Sequence, residues 1–154
     1  MYILFQRCDM IKIEYPPYQP KLKSEAGQEF IFDEWRKRWI LLTPEEWVRQ
    51  NFLQYLVQVK KYPPSLIALE KKIRLGELTK RFDILVYDKD TKPFMIIECK
   101  EMNIPLDEAV LNQALRYNIS LRVPYIVITN GSWCLAFGRT NDQFKEIATL
   151  PDHQ

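Results

Sequence analysis

Residues 82–88 (FDILVYD) and 94–100 (FMIIECK) are two short runs rich in β-branched and aromatic side chains, separated by Lys-Asp-Thr-Lys-Pro. That separator is turn chemistry, so the pair predicts an antiparallel hairpin. Strand side chains alternate between faces, which puts Glu98 and Lys100 on one face and Ile97 and Cys99 on the other. Asp83 can then stand opposite them on the neighbouring strand. Two carboxylates with a backbone carbonyl nearby make a hard-oxygen site suited to Mg²⁺, which retains waters that can be activated as nucleophiles. An adjacent lysine can orient such a water or neutralise charge that builds on a phosphate. The pattern suits metal-dependent phosphodiester chemistry.

A Glu-x-Lys arises easily by chance in a chain with 27% charged residues. Glu70-x-Lys72 lies in an amphipathic stretch (SLIALEKKIRL) and Asp90-x-Lys92 in the turn, and neither joins a hydrophobic strand to an acidic partner strand. Glu98-x-Lys100 follows four apolar residues and has an aspartate one strand earlier. The same three charges can also form an ordinary ion-pair cluster at a sheet edge.

At 154 residues and 47% hydrophobic content, the chain fits one domain with a real core. The longest apolar runs, such as Trp39-Ile-Leu-Leu42, are too short for a transmembrane span. MYILFQRCDM is too soon interrupted by charge for a secretory signal, so a soluble, cytoplasmic protein without a membrane partner is expected. Three cysteines without metal-type spacing point to reduced thiols, and a single histidine, His153, argues against a histidine zinc site or a catalytic triad. The net charge of +2 says little about a nucleic-acid partner, although Lys71, Lys72, Arg74, Lys80 and Arg81 lead into the candidate site.

Residues 1–29, with Pro16, Pro17 and Pro20, read as an extended arm, residues 30–150 as the domain and 151–154 as a tail. Trp35-Arg-Lys-Arg-Trp39 reads as an amphipathic strand burying two tryptophans, or as a stacking clamp for nucleic acid. Thr43-Pro44-Glu45-Glu46 is a capping box with proline at the first helical position, so Glu46 is expected to reach back to its cap. The helix runs from Pro44 to about Lys61, with Trp47, Val48, Phe52, Leu56 and Val59 towards the core. Residues 66–75 read as a first core strand or a short helix leading to one. A second helix, about Leu106 to Arg122, follows Pro105, with Val110, Ala114, Leu115 and Leu121 as its stripe and Gln113 and Tyr117 sharing a flank. Tyr125–Thr129, Asn130-Gly131 and Trp133–Phe137 form a hairpin, and Gln143 to Leu150 an edge strand. The order predicts an α/β fold with a mixed sheet of about five strands flanked by helices, α-β-β-β-α-β-β.

Leu42-Thr-Pro-Glu-Glu-Trp-Val-Arg-Gln50, Arg81-Phe-Asp83, Ile97-Glu-Cys-Lys100, Gln113-x-x-x-Tyr117 and Thr129-Asn-Gly131 together resemble the type I restriction enzyme R subunit amino-terminal domain family, within the PD-(D/E)xK nuclease superfamily. The resemblance covers about residues 28–138. It implies a restriction-endonuclease-like core and a metal-dependent DNA endonuclease activity. Asp83 and Glu98 match the metal-binding carboxylates, with the Cys99 backbone carbonyl as a further ligand, and Mg²⁺ or Mn²⁺ is the implied ion. Lys100 matches the catalytic lysine. Gln113 matches the glutamine that places the substrate or the lysine, with Tyr117 and Arg81 as substrate-positioning residues. Glu46 matches the acidic residue of the first core helix.

The eponymous proline is absent, since Phe82 precedes Asp83. The resembling R subunits carry motor domains downstream, whereas these 154 residues hold no nucleotide-binding glycine-rich loop. Either a separate motor or restriction-modification subunits supply DNA translocation, or the chain is expected to be a stand-alone nuclease or a nuclease-derived module. The alternative expectation is a non-catalytic nucleic-acid-binding or assembly module that retains the nuclease fold. A single site cuts one strand, so double-strand cleavage needs a dimer or successive nicks.

Overall fold

A computed structural model describes residues 10–75, 77–118 and 122–153. Its centre is a seven-stranded mixed sheet built from β1 (Ile11–Lys12), β5 (Ile67–Leu75), β6 (Leu78–Tyr87), β7 (Pro93–Cys99), β8 (Tyr125–Thr129), β9 (Trp133–Thr140) and β10 (Gln143–Ile147). The strands lie in the order β1-β9-β8-β7-β6-β5, and β10 also pairs with β9. Only β7 and β8 are parallel among these neighbours, because the helix α2 (Glu108–Asn118) carries the chain between them. A separate three-stranded sheet consists of β2 (Leu22–Glu25), β3 (Gln28–Asp33) and β4 (Arg38–Leu41), and α1 (Pro44–Gln54) follows it.

The helices cover opposite faces. Met95, Ile97 and Cys99 of β7 join Val48, Phe52, Leu53 and Leu56 of the first helical segment in one buried cluster. On the other face, Leu111 and Leu115 of α2 pack with Ile126, Ile128, Leu135 and Phe137. Alternation along each strand feeds both layers, and each fully buried Phe or Leu contributes about 1.5–3 kcal/mol.

Several sequence expectations shift. The sheet has seven strands instead of about five: the expected edge strand forms as Gln143–Ile147 on β9, and Ile11–Lys12, within the expected arm, adds to β9 as well. Within the segment expected to be an extended arm, Leu22–Glu25 pairs with β3. Trp35 lies in the turn between β3 and β4, because the Asp33 carboxylate accepts the amides of both Trp35 and Arg36. Trp39 is in β4 and 39% exposed, so the two tryptophans are not buried together. After Gln54 the helix continues as a π-turn, Tyr55–Val59, whose wider winding takes Val59 out of the apolar stripe to 44% exposure. Leu111 replaces Val110 as the deeply buried residue of α2, and Leu121 lies outside the described residues. Among the described residues no helix is long and apolar enough to cross a membrane.

Candidate active site

β6 and β7 pair from Tyr87↔Pro93 to Ile84↔Ile97 and no further. Beyond that point β6 remains paired with β5, while Glu98 and Cys99 pair with Ile128 and Thr129 of β8. The sheet therefore opens between Asp83 and Glu98. At the opening, the Cys99 amide donates to Asp83 Oδ2 at 2.7 Å in place of a strand partner. The Lys100 amide donates to the Thr129 carbonyl at 2.8 Å, so the chain beyond β7 stays with β8.

The opening holds a cleft of about 200 Å³ lined by Lys80, Arg81, Glu98, Lys100, Val110, Gln113 and Ala114. Glu98, Lys100, Arg81 and Gln113 thus come together from β6, the end of β7 and α2. Asp83 is not among the residues lining this cleft: its carboxylate accepts from the Cys99 amide and Arg49, and only its charge is felt at Glu98. Burial first, then Asp83, raises the Glu98 carboxyl above the usual carboxylate range, while Lys80 and Lys100 pull it down. Burial lowers the Lys80 ammonium, and Glu98 opposes that shift. The Tyr117 side chain lies outside the described residues.

Glu46 is placed differently from the expectation of a reciprocal capping box. Thr43 Oγ1 does accept the Glu46 amide at 3.0 Å. The Glu46 carboxylate, however, accepts from Arg36 Nη2 at 2.5 Å, Gln50 Nε2 at 2.9 Å and Arg49 Nη1 at 2.8 Å. Those donors hold it in a buried network, and it connects to Asp83 through Arg49, whose Nη2 donates to Asp83 Oδ1 at 2.9 Å. Its neighbour Glu45 is the helix carboxylate whose charge is felt at the opening. Burial and then Asp83 raise its pKa, while Arg49 and Lys100 lower it.

Two further residues escape sequence reasoning. Arg49, with a side chain only 5% exposed, binds Glu46, Glu70 and Asp83. Glu70, whose Glu-x-Lys spacing resembles a chance motif, stands between Leu69↔Ile84 and Lys71↔Phe82 and so lies opposite Asp83 across the strands. Its carboxylate also pairs with Arg81 Nε. The available signal was the register, since a hairpin that brings β6 beside residues 66–75 must put some residue opposite Asp83.

The donor set suits Mg²⁺, which is held by one or two carboxylates together with waters and substrate phosphates. Asp83 and Glu98 are the candidate carboxylates for such an ion, and the charge of Asp83, after burial, adds to the rise of the Glu98 carboxyl. Among the described residues no group of three or more His, Cys, Asp and Glu side chains is placed to hold a metal.

No curated protein matches the chain. Among solved structures, the chain is similar to a fragment described as an HsdR subunit of a type I restriction enzyme from Vibrio vulnificus YJ016. The TM-score is 0.52 at 22% sequence identity, covering 72% of this chain and 24% of that one. The chain thus spans about a quarter of that neighbour's length. The model of the family described as type I restriction enzyme R protein N terminus (HSDR_N) matches residues 44–151. That span begins with α1 and contains every residue lining the cleft. With more than half of its length matched, the chain belongs to the type I restriction enzyme R protein N-terminal family.

Proposed function

We propose that this chain is a metal-dependent DNA endonuclease domain with a restriction-endonuclease-like core of the PD-(D/E)xK type, using Mg²⁺ or Mn²⁺. The observation that carries this reading is the parting of β6 and β7 at Asp83 and Glu98, with Glu98, Lys100 and Gln113 lining the cleft beside it. Asp83, Glu98 and the Cys99 carbonyl are the residues that would hold the ion, which supplies Lewis-acid polarisation of a phosphate.

Lys100 places an ammonium on the cleft wall, where it orients the attacking water and offsets charge that develops on the phosphate oxygens. In-line attack forms a new P–O bond and breaks the bond to the 3′ oxygen, leaving a 5′ phosphate. Gln113 holds substrate or Lys100 from the α2 side, with Tyr117 accompanying it one turn later. Arg81, braced by Glu70 and 59% exposed, meets backbone phosphate. Glu46 acts through Arg49 on Asp83. The exposed Lys71 and Lys72 on edge strand β5 extend the basic surface leading to the cleft, which suits DNA. Motor or restriction-modification subunits are the partners such a domain would serve.

Supercoiled plasmid incubated with the chain and Mg²⁺ or Mn²⁺ tests this reading. Nicking that is lost in Lys100→Ala and Asp83→Ala supports it, and no nicking, or nicking unchanged in both variants, overturns it.

One observation favours a second reading, a non-catalytic nucleic-acid-binding or assembly module. Both Asp83 oxygens already accept from protein donors, Arg49 Nη2 and the Cys99 amide. Salt-dependent DNA binding without metal-dependent nicking, and with Asp83→Ala leaving affinity intact, would select it.

A further inference from the structure

The geometry points to Arg49 as a positioning residue that clamps the Asp83 carboxylate in a single orientation, with Glu70 bent out of strand geometry to hold the clamp. The consequence for catalysis rests on the nuclease reading above, but the clamp itself does not.

Arg49 reaches from α1 to the strands. Nη2 lies 2.9 Å from Asp83 Oδ1, and Nη1 lies 2.8 Å from Glu46 Oε2 and 2.7 Å from Glu70 Oε1. Glu45 Oε1 is 3.5 Å from Nη2. One planar guanidinium thus meets carboxylates from α1, β5 and β6, which the point charge of a lysine cannot reproduce. Arg49 Nε is buried without a hydrogen-bond partner. Buried donors are normally satisfied, so the fork is oriented for its terminal nitrogens at the expense of Nε. Asp83 is held on both oxygens, by Arg49 at one and by the Cys99 amide at 2.7 Å at the other. Two donors on different elements leave the carboxylate no free rotation.

Glu70 supplies an independent sign. Its φ is +53° in the interior of β5, a conformation that L residues avoid. Among the described residues, the other non-glycine positions with positive φ are Ala26, Lys37, Lys61, Thr91, Asn141 and Asp142, all outside strands and helices. The pairs on either side, Leu69↔Ile84 and Lys71↔Phe82, keep one register, so the distortion inserts no residue. Its effect is confined to Glu70, whose carboxylate bridges Arg49 and Arg81. Local strain of this kind persists where surrounding contacts over-determine it.

The test uses the full chain as wild type, Arg49→Lys, Arg49→Met and Glu70→Gln, with three readouts. These are hydrogen exchange of the Cys99 amide without metal, Mn²⁺ affinity by electron paramagnetic resonance, and the kcat and KM of plasmid nicking. Arg49→Lys is expected to speed Cys99 amide exchange and to weaken Mn²⁺ binding by about 10–100-fold, the range for residues that orient a metal ligand. It should lower kcat by a similar factor with KM nearly unchanged. Arg49→Met should be at least as severe, and Glu70→Gln should act in the same direction by less. A folded Arg49→Lys with wild-type Cys99 exchange and wild-type Mn²⁺ affinity overturns the clamp. If both Arg49 variants fail to fold, Glu70→Gln decides by the same two readouts. A wild-type chain that neither binds Mn²⁺ nor nicks removes the nuclease reading, while Cys99 exchange still supports or overturns the clamp.

Discussion

The Asp83 carboxylate accepts the Cys99 backbone amide at 2.7 Å at the place where the strands carrying them stop pairing. A side chain replaces the missing strand there, and the cleft exists because the two strands diverge beyond it. Asp83→Ala would leave the Cys99 amide and Arg49 without that acceptor. The expected cost is about 1–3 kcal/mol, the penalty for leaving a buried donor unsatisfied, read from urea unfolding midpoints. An unchanged midpoint would show that Asp83 does not secure the opening.

The raised pKa of Glu98 carries a definite sign. Burial and Asp83 hold its folded-state value above the unfolded one. Its contribution to stability is therefore fully present below the unfolded pKa of about 4.3 and is lost as pH rises through the folded value. At pH 7, well above the unfolded value, Glu98 burdens the metal-free fold, so Glu98→Gln should melt at a higher temperature than wild type. That advantage should shrink as pH falls towards 4, and added Mg²⁺ should also shrink it by stabilising wild type selectively. A lower Tm for Glu98→Gln at pH 7 without metal would contradict the assignment.

Thr43 caps α1 through Oγ1 to the Glu46 amide at 3.0 Å. Thr43→Ala is expected to cost about 1 kcal/mol in chemical denaturation. Thr43→Asn should recover most of it, because an asparagine oxygen can accept the same bond.

Gly131 sits at φ +93°, and a Cβ built there would lie 3.2 Å from Val48 Cγ2. Gly131→Ala combines left-handed backbone strain, about 1–2 kcal/mol, with a close approach to α1. A lowered Tm is expected, and an unchanged one would mean that the turn after β8 does not bear on the helix.

Cys99 and Cys134 are free and buried. Burial pushes the Cys134 thiol up to about 12 and the Cys99 thiol well above its ordinary value. In a Cys8→Ser background both should resist a disulfide-exchange reagent at pH 8 while the chain is folded, and both should react after denaturation.

The main elements were legible because their signals are local. The strands around Asp83 and Glu98 come from β-branched runs bounded by a turn, and α1 announces itself through Thr43-Pro44. Residues that depend on distant partners were harder to read. Glu45 and Glu46 are adjacent on one helical turn, and Glu46 is drawn away by Arg36, whose own place is set by the Asp33 turn. Glu70 looked like a chance motif because its orientation depends on a positive φ that strand alternation does not anticipate. Val59 follows a 3.6-residue period in sequence, and the π-turn breaks that period. The roles of Arg49 and Glu70 follow from register and three-dimensional proximity, which no spacing within either segment encodes.

The central claim is that Asp83 and Glu98 form one divalent-cation site at the opening of the sheet. The most direct measurement is an anomalous difference map from a crystal of the chain soaked in Mn²⁺. A peak within coordination distance of carboxylate oxygens of both residues, absent from Asp83→Ala crystals, is the predicted result. A fully ordered cleft with no peak there, or with Mn²⁺ bound only elsewhere, would contradict the account.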